Sequence, residues 1–234
     1  MDFETWDPVY DAILDDFGFG RAADERARDV FVGMLRSIEG AVFDVDALDF
    51  SGQAVAVAGA AASLGDDLDV AREADAVVAA SSAARQLRAA GVGVDCMVTD
   101  LDGTPETAVR LTTYRTPVAI HAHGDNTRAI QEFAPQCQLS HVLPTTQAAP
   151  ADPVRNFGGF TDGDRAAFLA DHLGASSLVF PGWDFDDTTV AAMKRQKLRW
   201  AERLLYWLER RRDERFAILD GRREAIDTSS LPVE

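Results

Sequence analysis

Lysine is almost missing from this chain. It occurs only at Lys194 and Lys197, and every other basic side chain is arginine. With 39 acidic against 23 basic residues the formal net charge is −16. That balance excludes a general nucleic-acid binder, because such a surface repels a phosphate backbone. Cysteine is scarce too. Cys96 and Cys137 are the only two, too few for a disulfide framework, and both are expected as small buried hydrophobes. No charged segment leads into an apolar run at the N-terminus, where Met1-Asp2-Phe3-Glu4 is already polar. No apolar stretch reaches the roughly 20 residues needed to cross a bilayer. A soluble cytoplasmic protein with no membrane partner is expected. An acidic, lysine-poor surface stays hydrated in concentrated salt, so a salt-adapted host explains the composition better than codon bias alone.

What is present is a rhythm of short apolar runs and helical stretches. The first 40 residues read as helical: Asp7 before Pro8 is a candidate N-cap, and Val30, Phe31, Met34, Leu35 and Ile38 share one helical face. From residue 54 the pattern changes. Ala54–Ala58, Ala76–Ala80, Cys96–Thr99, Val118–His121, Leu139–Leu143 and Leu178–Phe180 are the expected strands. The helices between them have readable boundaries: Ser82 to Ala90 stops at Gly91, Thr104 precedes Pro105, Asn126 opens another, and Asp162 is expected to cap one running to Leu173. A long amphipathic helix is expected from about Thr188 to Arg212, followed by a hairpin turning at Asp220-Gly221. Fully apolar strands separated by single helices imply an α/β fold with a mainly parallel, doubly wound sheet and helices on both faces. The expected organisation is an N-terminal helical cap over residues 1–50, a catalytic domain over 51–213 and a packed tail over 214–234.

In such sheets ligands lie beyond the carboxyl ends of the strands. Four strand ends carry polar or glycine clusters. Gly59-Ala60-Ala61-Ala62-Ser63-Leu64 is a small-residue turn opening a helix, able to present N–H groups to a phosphate or simply to turn the chain. Thr99-Asp100-Leu101-Asp102-Gly103 sets two carboxylates around one apolar residue, either to face a divalent cation or to form an Asp-rich turn. His121-Ala122-His123-Gly124-Asp125-Asn126 puts two histidines on one side of a strand. No third ligand of matching chemistry accompanies them, so substrate or phosphate binding suits them better than zinc. Asn156-Phe157-Gly158-Gly159-Phe160-Thr161-Asp162-Gly163-Asp164-Arg165 joins a glycine-rich loop to a second Asp-x-Asp. Beyond Gly182-Trp183-Asp184-Phe185 lie the two lysines, kept in a chain that otherwise prefers arginine, as compact cations suited to phosphate. Carboxylates, small-residue turns and cations together suggest phosphoryl-type transfer.

These motifs, in this order and spacing, resemble those of the archaeal 6-hydroxymethyl-7,8-dihydropterin diphosphokinases over roughly residues 50–210. They are more distantly similar to thiamine diphosphokinase catalytic domains. One segment departs from the family pattern: its first loop usually reads Gly-x-Gly-Pro-Ser-Leu, whereas here the second glycine and the proline are replaced by Ala61 and Ala62. The resemblance implies transfer of diphosphate from ATP, as co-substrate, to the hydroxymethyl oxygen of a small pterin, with release of AMP. It further implies Mg²⁺ on Asp100 and Asp102, with Asp125 or Asp162 as a further ligand or as the base, and Asp162 with Asp164 at a second ion. Gly59, Ser63, Leu64, His121, His123, Arg165, Lys194 and Lys197 would bind substrate or phosphates. Phe157, Phe160 or Trp183 would stack on the pterin. A thiamine acceptor, a sugar-nucleotide glycosyltransferase and a non-catalytic nucleotide-binding module are the alternatives. Oligomeric state is left open.

Overall fold

The computed structural model describes residues 1–233. Six parallel strands form its sheet, in the spatial order β5-β4-β3-β2-β1-β6. They are β1 (Ala54–Ala58), β2 (Ala76–Ala80), β3 (Cys96–Thr99), β4 (Val118–Ala122), β5 (Val142–Thr146) and β6 (Ser177–Val179). Period-2 alternation divides each strand between two cores. Val55, Val57, Val78, Cys96 and Val98 face one side, whereas Ala56, Ala58, Val77, Ala79 and Met97 face the other. Because both faces of β1 and β2 are covered, those strands are apolar throughout.

The helices are α1 (Phe3–Phe17), α2 (Arg21–Ser37), α3 (Leu68–Glu73), α4 (Ala83–Ala89), α5 (Pro105–Thr113), α6 (Thr127–Phe133), α7 (Asp162–His172) and α8 (Ala192–Arg212). The first core takes α1, α7 and α8, through residues such as Trp6, Phe168 and Trp207. The second takes α2 through α6, with Phe31, Leu87, Leu111 and Ile130. The two N-terminal helices thus straddle the sheet. After β5 the chain crosses from one edge to the other, and α7 lies over β1, β2 and β3 on the way to β6. Strand order therefore reverses between β1 and β6, which opens a crevice at their carboxyl ends.

Several boundaries differ from the sequence reading, each for a local reason. Asp2, not Asp7, caps α1 by accepting from the Thr5 N–H at 2.8 Å, and Pro8 lies inside the helix. Residues 139–141 form a 3₁₀ turn, so β5 starts at Val142 and runs through Pro144. An edge strand tolerates that proline. Its outer side is covered by Arg155, whose N–H donates to the Pro144 carbonyl at 2.9 Å. β6 begins one residue early, at Ser177, and Glu214 accepts the Leu178 N–H on its open edge at 2.9 Å. The tail forms two 3₁₀ turns in place of a hairpin. Glu209 draws it onto α8 by accepting from the Phe216 N–H and from Arg223. Cys96 and Cys137 are free and buried. Among the described residues no helix is long and apolar enough to cross a membrane.

Candidate active site

A cleft of about 320 Å³ opens where β1, β2, β3 and β6 end. Its walls are the turn after β1 (Gly59 to Ala61), Ser81-Ser82 after β2, Asp100 and Asp102 after β3, the start of α7 and the first turns of α8.

Asp100, Asp102 and Asp162 converge there: one oxygen from each lies within 4.8 Å of the others. The turn after β3 is held tightly. Thr99 Oγ1 accepts from the Leu101 N–H at 3.0 Å and Asp100 Oδ1 from the Asp102 N–H at 3.1 Å. Leu101 is buried and takes a left-handed φ of 69°, which turns the backbone so that the flanking carboxylates share a side. Asn126 ties this turn to β4, donating to the carbonyls of Asp100 (2.8 Å) and His121 (2.6 Å). His123 Nε2 stands 3.2 Å from Asp100 Oδ2. The third carboxylate is set by α7. Thr161 is the N-cap, in a reciprocal capping box with Asp164, so Asp162 is the first helical residue rather than the cap. Arg165, one turn on, reaches Asp162 Oδ1 at 3.1 Å.

Burial disfavours charge on all three groups. At Asp100 that effect is outweighed by the hydrogen bond from His123 and the Arg165 charge, which hold the carboxyl below its usual range. At Asp102, exposed as a residue but with its carboxyl partly desolvated, that desolvation and the neighbouring Asp100 both push the carboxyl up. At Asp162 burial and the Asp100 charge push it up against the pull of Arg165. Three convergent oxygen ligands, two of them carrying repulsion, suit a hard divalent cation.

The cleft gathers other expected residues as well. Lys194 and Lys197 line it from α8, with Lys197 Nζ 5.7 Å from the centre of the Phe160 ring. The N-terminus of α8, which lacks a side-chain cap, borders it at Val190. Trp183 forms a wall, its Nε1 donating to the Val57 carbonyl at 2.8 Å. Glycine is required at two contacts there. A Cβ on Gly59 would lie 2.4 Å from the Gly182 carbonyl oxygen, and one on Gly163 would lie 2.6 Å from the Trp183 ring.

Other expected residues lie elsewhere. Ser63 and Leu64 are not in the lining; Leu64 is buried against Gly182. The Gly59 and Ala61 N–H groups donate to the carbonyls of Pro181 and Gly182, both at 2.9 Å, so they are engaged in the fold. Asp164 is fully buried and accepts from the N–H groups of Phe160 and Thr161 and from the Thr161 hydroxyl. Those bonds make it the anchor of the loop. Asp125 is exposed and does not join the carboxylate group. Phe157 is buried and packs on the His172 ring at 4.7 Å.

His121 lines a separate small cavity with Thr145, Phe157 and Arg165. Its Nδ1 is 3.0 Å from Thr145 Oγ1, which donates its own proton to the Ile120 carbonyl. Burial and then the Arg165 charge keep this ring well below its usual pKa, so it is neutral and unsuited to balancing phosphate charge. Among the described residues neither histidine belongs to a three-ligand metal group. Sequence reasoning missed Ser81-Ser82, the bracing role of Asn126, and two buried polar residues behind the site, Asp24 and Gln147. Asp24 carried a legible signal, a carboxylate in the apolar stripe of α2 with Ala27 and Phe31.

A doubly wound parallel sheet with clustered carboxylates, small-residue turns and lysines at its strand-order reversal defines a class of site suited to phosphate esters. Sequence comparison narrows the class. The chain belongs to the 6-hydroxymethylpterin diphosphokinase MptE-like family, whose pattern it matches over residues 39–190. It is 38% identical over 232 residues to the 6-hydroxymethyl-7,8-dihydropterin pyrophosphokinase of Methanothermobacter thermautotrophicus, covering 92% of this chain and 98% of that protein. The protein of the same description from Pyrococcus furiosus is 34% identical over 223 residues, covering 89% and 95%. The Methanocaldococcus jannaschii counterpart is 28% identical over 234 residues, covering 89% and 96%.

Proposed function

We propose that the protein is a Mg²⁺-dependent diphosphokinase that moves the terminal diphosphate of ATP onto the hydroxymethyl oxygen of 6-hydroxymethyl-7,8-dihydropterin. The observation that carries this reading is the Asp100–Asp102–Asp162 cluster opposite Lys194 and Lys197 in one cleft. In the reaction the acceptor oxygen bonds to the β-phosphorus and the bond from that phosphorus to the α–β bridging oxygen breaks. AMP leaves, and the hydroxyl proton passes to a carboxylate.

Asp100, Asp102 and Asp162 would hold Mg²⁺, which when bound neutralises charge on the phosphate oxygens. The remaining work falls to the chain's own groups. Lys194 and Lys197 balance the charge of the polyphosphate, aided by the uncapped N-terminus of α8. Arg165 keeps Asp162 facing the cleft. Trp183, half-buried in the cleft wall, offers flat apolar surface for a heterocycle.

The test is AMP release from ATP with hydroxymethyl-dihydropterin, with thiamine and with no acceptor, each with and without Mg²⁺. AMP formed only with the pterin and Mg²⁺ is the expected result. AMP formed only with thiamine overturns the acceptor, and ATP binding without turnover would make the protein a nucleotide-binding module.

A further inference from the structure

Asp24 lies on α2 with only 5% of its surface exposed, and none of the ion pairs among the described residues includes it. Its two oxygens are fully engaged. Oδ2 accepts from the Tyr10 hydroxyl at 2.5 Å and from Gln147 Nε2 at 2.7 Å, while Oδ1 accepts from the Gly124 N–H at 2.6 Å. From there two chains of contact run to the carboxylate cluster. Through Gly124 the carboxylate fixes the residue next to His123, whose Nε2 meets Asp100 at 3.2 Å. Through Gln147 it fixes Arg165, since Gln147 Oε1 accepts from Arg165 Nη2 at 2.9 Å. Arg165 Nη1 in turn meets Asp162 at 3.1 Å.

We propose that Asp24 is a positioning residue for the reaction, a buried brace on an N-terminal helix that sets Asp100 through the Gly124 arm and Asp162 through the Gln147 arm. The proposal deepens the reading above and rests on it, because the carboxylates it positions are those assigned to the metal.

The hydrogen-bond polarity of the Gln147 arm makes the idea testable. Gln147 must donate to Asp24 and accept from Arg165 at once. In Asp24→Asn one acceptor oxygen becomes an amide N–H, which faces either the Gln147 amide N–H or the Gly124 N–H, so one of the two arms meets a donor opposite a donor whichever way the amide turns. In Gln147→Glu a carboxylate faces Asp24. Each single change breaks an arm. The double variant, Asp24→Asn with Gln147→Glu, restores it. There the new carboxylate on β5's exit accepts both from the new amide on α2 and from Arg165, while the total charge stays the same.

Mn²⁺ binding by the full chain, followed by electron paramagnetic resonance without ATP, reads the effect. Each single variant is expected to weaken binding by about 10-fold or more, the usual effect of losing a group that orients a metal ligand. The double variant should return to within a few-fold of wild type. Tyr10→Phe removes only the arm pointing away from the cluster and should lose stability without losing Mn²⁺ affinity. Rescue by charge relocation separates positioning from general destabilisation, which two substitutions would compound. A double variant no better than the singles, or unfolded, overturns the proposal. So does Asp24→Asn that folds with native affinity. Failure of the wild-type protein to bind Mn²⁺ would instead remove the metal reading. Crystal structures then decide on Asp24: in each single variant either Arg165 leaves Asp162 or His123 leaves Asp100, and the contact returns in the double, or the brace is refuted.

Discussion

Asp102→Asn should make the metal-free protein more stable while abolishing its response to Mg²⁺. The oxygens of Asp100 and Asp102 lie within 4.8 Å, and two unit charges at that separation repel by about 3.5 kcal/mol at an effective dielectric of about 20. Asp102 is exposed to solvent, which moves the interaction toward the value of about 0.9 kcal/mol expected in bulk water. A gain of about 1–2 kcal/mol is therefore reasonable, and for a chain of this size each kcal/mol raises Tm by about 2–4 °C. The substitution keeps the fold of the turn, because the bond to Asp100 Oδ1 comes from the backbone N–H of residue 102. With Mg²⁺ at about 100 times its Kd the wild type gains about 2.7 kcal/mol, whereas the variant should gain almost nothing. Differential scanning calorimetry in one buffer, with EDTA and then with excess Mg²⁺, should show the two Tm values exchanging order. A variant less stable than wild type under EDTA, or one that responds equally to Mg²⁺, refutes the reasoning.

The raised carboxyls of Asp102 and Asp162 have a consequence for pH. Without metal, their contribution to stability is fully present below the unfolded carboxylate pKa and is lost as pH rises through their folded values. A cation reverses that loss, so the Tm increment produced by Mg²⁺ should grow between pH 5 and 8; a constant increment would count against it. Lys194→Ala and Lys197→Ala should each raise the Kd for Mg-ATP by about 10-fold, in line with charge-assisted bonds of ~1.5–3 kcal/mol, with unchanged circular dichroism. Titration calorimetry at rising salt should show the defect shrinking. Gly163→Ala forces a methyl group against the Trp183 ring and should cost about 1–3 kcal/mol in denaturant unfolding. It should also weaken ATP binding; tight binding would mean that the ring shifts freely.

Strands β1, β2 and β3 end where the chain places Gly59, Ser81 and Asp100 after an unbroken apolar run, and those ends were legible to the residue. β5 was not, because Pro144 reads as a stop and only its edge position makes it admissible. The tail failed for a different reason. Asp220-Gly221 is a sound turn signal, but the partners of Arg222 and Arg223 lie on α8 and after β6, far away in sequence. In the site, Asp100, Asp102 and Asp162 were legible as candidates by their place at strand and helix ends, although a turn or a helix cap explained each of them equally well in isolation. Asp164 looked identical to Asp162 in the sequence, and only the capping geometry turns one inward and the other toward the cleft. Asp24 and Gln147 are the reverse case. Asp24 stands out in the apolar stripe of α2, but its partners Gly124 and Gln147 lie 100 and 123 positions away, and no local pattern names them.

The path of α7 across the sheet also sets the order in which this protein can be completed. Asp100 and Asp102 leave the ribosome with β3, but Asp162 follows only after β4, β5 and the long return loop have been made. Until α7 settles on β1, β2 and β3, one face of the sheet is bare of the helix that covers its centre. A nascent chain, or one cut before residue 160, therefore holds two of the three carboxylates, the second core and only part of the first. Covering the apolar face and acquiring the third carboxylate are one event. An unfinished copy would thus have no complete site with which to consume ATP.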